Sequence, residues 1–456
     1  MSIEKYKRSK IFIKYTLILG WLSIWFSISF NPENLSYNFL YLDFFQQINY
    51  LRGISQLIFF PVVLLIFIIF TYKDTILKKS NLIHNLLIIF FFIQLIGLLF
   101  NENPNINLYY SITSINVVLT TYIFKNYFSE SDTNNLLKIS ILILLSVFVY
   151  FSFDYIKQSI ILHKDLYTVW GKLGTNSLNS FYETPKPTGL SRTALIILIF
   201  FSIISFHHKN NFFISLITVL TISMIILLSS RLILLILLIF IIFYLFYFQI
   251  LKRKKIINFI KNFILYPFIL IFFINIFLNF DSNIKTDNYN LKVNIFENKI
   301  KRDFPQFKEY RNINHDFIHG NRTGKKNKFE YFTSGRSKDW NEILKKNNKI
   351  IIGNGVMGDR FLINQTASNL LIYSYASSGL IGTILIFFIC LKIFINTINL
   401  ISKRKEILET PYILVSCLII TTLLIRSTLE TSFGVFGIDL LMFCSSLAII
   451  TKESKG

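Results

Sequence analysis

The sequence predicts an all-α, polytopic membrane protein of about twelve transmembrane helices. Three observations carry this. Hydrophobic residues make up 53% of the chain and charged residues only 16%. Mean hydropathy is +0.53. Apolar runs recur from one end to the other, each long enough to cross a hydrocarbon core about 30 Å thick.

The first span runs from Ile11 to Phe30, behind the basic start Glu4-Lys5-Tyr6-Lys7-Arg8-Ser9-Lys10. A signal peptide also opens this way, but here the apolar part is long and no small-residue cleavage site follows. It is therefore read as a retained helix. Spans follow at Ile54–Tyr72, Leu82–Phe100, Ile106–Phe124 and Leu136–Phe153, and after a polar loop at Gly189–Phe206. The run from Phe212 to Ile250 is about twice the length of a single span and is divided at Ser229-Ser230-Arg231 into Phe212–Leu228 and Leu232–Ile250. Ile256–Phe280 completes a first membrane domain, residues 1–280. Residues 281–368 form a long hydrophilic loop with short helices. Residues 369–456 form a second membrane domain, with spans near Asn369–Ile395, Pro411–Ile425 and Val435–Ile450.

Loop charge gives the orientation. With the N-terminus in the cytoplasm, the inner loops are Lys73–Lys79, Lys125–Lys138, His207–Asn211, Lys252–Lys255 and Lys403–Glu406, with a tail carrying Lys452 and Lys455. Nearly all are basic, whereas opposite loops such as Asn101-Glu102-Asn103-Pro104-Asn105 are not, as the positive-inside rule requires. Both termini are then cytoplasmic, and the loops Asp154–Thr188 and Asp281–Gln365 lie outside. The net charge of +22 does not mark a nucleic-acid partner, because the charges are scattered among membrane loops and gather on no single face. Cys390, Cys417 and Cys444 all fall in apolar spans and read as small core residues, not as disulfide or metal partners.

A charged residue at the membrane is costly unless paired, hydrated or snorkelling, which makes it a functional candidate. Four arginines qualify on the outer side. Arg192 follows Pro187-Thr188-Gly189-Leu190-Ser191, and Arg231 follows Ser229-Ser230. Arg426 ends a span in Arg426-Ser427-Thr428-Leu429-Glu430, where it can pair with Glu430 if the turn is helical. Arg336 opens a short amphipathic helix that Ser334 can cap and Asn347-Asn348 can stop, with Arg336, Trp340, Ile343 and Leu344 on one face. Singly, each arginine reads as an interfacial anchor. Together at one face they can hold a phosphate group bidentately and stabilise it as a leaving group.

Other polar residues are weaker candidates. His315 and His319 share a helical spacing but lack the Glu of a zinc-protease motif. Glu183, ahead of Pro185 and Pro187, is a candidate general base and equally a solvated loop carboxylate, as is His163 a loop histidine. His84, near the inner end of a span, reads as a packed or interfacial histidine. Gly353 and Gly355 make a tight turn rather than a phosphate loop, since no Lys-Ser or Lys-Thr follows. Gly379 and Gly382 allow close helix packing or a break in their span.

Gly335-Arg336, Trp340, Gly353-x-Gly355, Ser368-Asn369 and Gly379-x-x-Gly382 follow one another in a set order. With Pro187–Arg192, Ser229–Arg231 and Arg426-x-x-x-Glu430, they resemble the O-antigen polymerase and O-antigen ligase superfamily of bacterial membrane glycosyltransferases. The resemblance covers roughly Pro187 to Phe443. It implies a GT-C-like, inverting glycosyltransferase of the inner membrane that needs no metal or other cofactor. Its donor would be a glycan on undecaprenyl pyrophosphate at the periplasmic face, with the bilayer and a chain-length regulator protein as further partners.

The resemblance also implies roles. Arg192, Arg336 and Arg426 would be catalytic with Glu430 and Glu183 as base candidates, and Arg231, Trp340, Ser368 and Asn369 would contact substrate. Ligases of this family carry a His where Ser368 stands, and a serine is no general base at neutral pH unaided. This favours a polymerase of surface-polysaccharide repeat units over a ligase to lipid A-core. A lipid-linked-oligosaccharide flippase would place charges deep within its spans. A peptidoglycan polymerase of the shape and division family would use an outer-loop Asp, for which Asp316 or Asp339 could be proposed, but its surrounding motifs do not match.

Overall fold

A computed structural model describes residues 3–28, 44–73, 82–100, 104–162, 187–207, 212–228, 230–248, 261–280, 336–403 and 410–453. The described residues are helical, without strands. Helices α1 (Ile3–Phe26), α2 (Phe44–Lys73), α3 (Leu82–Ile96), α4 (Pro104–Tyr127) and α5 (Glu130–Leu162) come first. They are followed by α6 (Pro187–His207), α7 (Phe212–Leu227), α8 (Arg231–Phe248) and α9 (Tyr266–Phe280). Two short helices, α10 (Arg336–Lys346) and α11 (Gly358–Ile363), precede α12 (Leu370–Ser402), α13 (Pro411–Ser427) and α14 (Ile438–Glu453).

Helix starts are written locally. Pro104, Pro187 and Pro411 open α4, α6 and α13, where a missing backbone N–H costs nothing. Ser129 and Asp132 form a reciprocal cap at the head of α5. The Asp132 N–H donates to Ser129 Oγ at 3.2 Å, and the Ser129 N–H donates to Asp132 Oδ2 at 3.3 Å. The division of the run from Phe212 to Ile250 is observed, with α7 ending at Leu227 and α8 beginning at Arg231.

Four helices are long and apolar enough to cross a membrane: Tyr50–Phe70, Glu130–Ser159, Pro187–Ser205 and Leu370–Ser402. Five more apolar helices are shorter, among them Leu82–Ile96 and Pro411–Ser427. A helix of about 16 residues rises roughly 24 Å, short of the hydrocarbon core. Helix α4 fails for another reason: it is interior. Asn107, Ser111, Thr113, Ser114, Asn116, Thr120 and Thr121 are all buried in it. Several of those hydroxyls turn back onto their own helix, as Thr113 does toward the Tyr109 carbonyl at 2.9 Å.

The core is centred on α14, which lies between α4 and α13. Helix α14 packs on α4, α5 and α13, and α13 also touches α6 and α12. Cys417 and Cys444 are fully buried among Leu414, Ile420, Leu440 and Phe443, as small core residues should be. Stacked rings of Phe433 and Phe443, 3.9 Å apart, close the turn between α13 and α14.

Helix α12 is broken. Gly379 has φ 62° and ψ −158° inside it, a conformation open to glycine and strained for other residues. The backbone groups freed by the break are taken up by the segment just before α11. Asn354 N–H donates to the Ala376 carbonyl at 2.9 Å and Gly355 N–H to the Ser377 carbonyl at 2.8 Å. In return, Leu380 N–H donates to the Ile350 carbonyl at 2.8 Å. Irregular backbone beside a membrane helix needs such repair. The glycines expected to make a turn and a break thus belong to one structure, in which two stretches of chain satisfy each other.

Candidate functional site

Helix α10 packs against α11 and α12 and brings Arg336 and Trp340 with it. Ile343 is fully buried beneath it, and the strongly one-sided sequence explains the docking. Leu344, expected on the same face, is exposed. A helix turns about 100° per residue, so Leu344 follows Ile343 off the buried face, and Asn347 completes the row instead. The Asn347 side chain donates to the Tyr375 carbonyl at 3.0 Å, and its buried position marks the end of the helix as expected.

Three short bonds fix the other end. Trp340 Nε1 donates to the Ala367 carbonyl at 2.6 Å. Ala367 N–H donates to Asp359 Oδ2 at 2.7 Å. Asp359 also accepts from the Arg360 N–H at 3.0 Å. Burial pushes the Asp359 carboxyl above the usual carboxylate range, against the pull of these amides and of the Arg360 charge. Asn369 then caps α12. Its Oδ1 accepts from Leu371 N–H at 2.9 Å and Ile372 N–H at 3.1 Å. Its Nδ2 donates to the Thr428 carbonyl at 2.9 Å, just beyond α13. Every polar atom of that side chain is therefore engaged in structure. Ser368, one residue earlier, is half-buried with φ 49°, and its hydroxyl lies 3.3 Å from that of Thr366.

The arginines converge from three elements. Arg426, in the last turn of α13, pairs with Asp439 Oδ2. Arg192, in the first turns of α6, places Nη1 3.0 Å from Asp439 Oδ1. This is contact by charge, without an aligned hydrogen bond. Asp439, at the head of α14, thus holds two guanidiniums, with side-chain exposures of 5% for Asp439, 7% for Arg426 and 16% for Arg192. Arg336 Nη2 lies 3.5 Å from Glu430 Oε1, both about a quarter exposed. The charges of Arg426, Asp439 and Glu430 all act on Arg192, which links the two pairs into one site.

The expected pairing of Arg426 with Glu430 is corrected by this geometry. Helix α13 stops at Ser427, so residues four apart no longer share a face. Arg426 turns to Asp439, and Glu430 reaches Arg336. Arg231 opens α8, is exposed, and pairs with no carboxylate among the described residues. Glu183, His163, Ser334, Gly335, His315 and His319 lie outside the described residues.

Sequence reasoning passed over Asp439. The signal was present: it is the sole acidic residue in the run from Val435 to Ile450, and an ionisable group in an apolar span is a site candidate by default. Chemically, the site offers three guanidiniums against two carboxylates. Arg192 Nε is buried without a hydrogen-bond partner among the described residues. Such a donor can serve an incoming anion. Compared with family models, characterised proteins and solved structures, the chain matches none.

Proposed function

We propose that this protein is an inner-membrane, inverting glycosyltransferase that polymerises undecaprenyl-pyrophosphate-linked oligosaccharide repeat units into a surface polysaccharide. One observation carries the reading: Arg192, Arg426 and Arg336, distant in sequence, gather around Asp439 and Glu430 with a buried guanidinium N–H unpartnered among the described residues. In this reading about twelve helices span the membrane, both termini are cytoplasmic, and the site faces the periplasm.

A hydroxyl of the acceptor repeat unit attacks the anomeric carbon of the donor glycan. The bond to the pyrophosphate oxygen breaks, and the guanidiniums of Arg192, Arg336 and Arg426 stabilise the departing charge. The acceptor proton passes to a carboxylate, for which Glu430 and Glu183 are the candidates. Arg231 and Trp340 line the approach of the lipid-linked substrate. Ser368 in place of a ligase histidine favours the repeat unit, not lipid A-core, as acceptor.

The test is a glycolipid gel of a deletion strain. Single-repeat-unit glycan in place of a ladder is the expected result, with Arg336→Ala failing to restore the ladder at normal expression. Loss of all attached glycan, single units included, would instead identify a ligase. An unchanged ladder would remove the proposal.

A further inference from the structure

Between α10 and the broken part of α12, an apolar corner stands on the surface. Ile350 is 51% and Ile351 63% exposed, next to Leu380 at 47% and Ile381 at 43%. The backbones of these two pairs are bonded, Leu380 N–H to the Ile350 carbonyl and Ile381 N–H to the Ile351 carbonyl at 3.4 Å. They therefore sit at the same height along α12. From there the exposed apolar strip of α12 runs on through Ile384, Phe387, Phe388 and Leu391. That helix meets the length and hydropathy needed to cross a membrane, and little of it is buried against the rest of the chain. A strip of this kind is covered by lipid tails, and Ile350 and Ile351 extend it sideways without a gap. Lys345 and Lys346 are exposed at the end of α10 immediately before the corner, Lys346 in an ion pair with Glu342 one turn back that solvent screens. Long cationic side chains of this sort reach headgroup phosphates while their stems lie on apolar surface.

We propose that the corner Ile350–Ile351 is embedded in the bilayer, its side chains among phospholipid acyl chains level with Leu380 and Ile381, with Lys345 and Lys346 at the phosphate layer. Helix α10, which carries Arg336 at its other end, is then moored to the leaflet by its C-terminal side. This inference is independent of the glycan chemistry and concerns the lipid surface alone.

The experiment places a nitroxide on the full-length protein in vesicles of phosphatidylethanolamine and phosphatidylglycerol, in a Cys390→Ala background. Single labels go on Ile351→Cys, on Ile381→Cys as the span reference, and on Asn341→Cys, which is exposed on the outward face of α10. Collision with oxygen, which concentrates in lipid, is compared with collision with a water-soluble nickel chelate. The label at position 351 is expected to match that at 381 and to exceed that at 341 several-fold in its oxygen-to-nickel ratio. A value at 351 equal to that at 341 would place the corner in water and overturn the proposal. Exclusion of both reagents at 351 would put protein there, either another part of this chain or a second copy, and would overturn it equally. Ile350→Cys provides a second label whose backbone bonds are likewise independent of its side chain.

Discussion

Arg192 Nη1 lies 3.0 Å from Asp439 Oδ1, while the other oxygen of the same carboxylate holds Arg426. One carboxylate therefore sets the spacing of two guanidiniums carried on different helices. Their placement does not depend on long side chains finding each other in solvent, and rotamer freedom is removed before any ligand arrives.

The buried and the exposed ion pairs should separate stability from activity. Removing Arg426 takes the hydrogen-bonded partner from Asp439 in a dry setting and leaves it only the unaligned contact with Arg192, a loss of about 2 kcal/mol. Removing Arg336 breaks a contact that solvent already screens, worth less than about 1 kcal/mol. Thermal melting in detergent should show a clear drop for Arg426→Ala and almost none for Arg336→Ala, while both abolish the glycan ladder. An Arg336→Ala protein that melts as early as Arg426→Ala would contradict this division.

Asn369 offers a way to distinguish a structural cap from a substrate contact. Asn369→Ala should cost about 1 kcal/mol, the usual value of a helix N-cap. Asn369→Asp keeps the accepting oxygen for Leu371 and Ile372 but loses the bond to Thr428, so its melting temperature should fall between those of the unaltered protein and Asn369→Ala. Full stability with lost turnover in Asn369→Ala would assign this side chain to the substrate.

Gly379 cannot accept a side chain. Alanine there meets a backbone region essentially confined to glycine, a penalty of about 1–3 kcal/mol, and its Cβ would run into the backbone of Ile350 and Ile351. Gly379→Ala is expected to lose more than about 2 kcal/mol in all, read as early melting or as proteolysis near residue 350. Gly437→Ala, where a Cβ would meet nothing within 4 Å, is the matched control.

Asp359 makes the loop before α12 respond to pH. Its folded carboxyl titrates above the unfolded value, so the folded loop binds its proton more tightly than the unfolded chain does. That contribution to stability is fully present below the ordinary carboxylate value of about 4 and is lost as pH rises through the raised folded value. Hydrogen exchange at the Ala367 amide, corrected for intrinsic rates, should therefore speed up across that window. Asp359→Asn, which cannot ionise, should flatten the profile, and an equally steep profile in that variant would assign the effect to another group.

The helices were readable from hydropathy because lipid-facing and core-facing side chains are both apolar, and the turn at Ser230 interrupts a run too long for one span. Arg336, Trp340 and Ile343 were readable as one face because helical spacing is local. The partners were less so. Asp439 stands 13 residues from Arg426 across a turn, and nothing near it in sequence announces the pairing. The same holds for Gly355 and Ser377, which meet through backbone groups alone. Glycine at position 379 marks a break, but the identity of the chain that repairs it is tertiary information. The number of spans is hard to read from hydropathy, since an interior helix such as α4 carries buried hydroxyls that bond to its own backbone.

The repaired break in α12 also bears on the order of assembly. Ile350 and Leu380 are separated by about 30 residues, and closing so short a loop is cheap compared with joining distant helices. All the groups that satisfy the break precede α13 and α14 in the chain and are synthesised before them. Cysteine cross-linking of stalled nascent chains, between positions 350 and 380, should capture the contact in chains that end before Arg426, and its absence until release would refute this sequence of events. The hairpin from α10 to α12 would then be a finished platform, onto which the last two helices bring Arg426 and Asp439 as late arrivals.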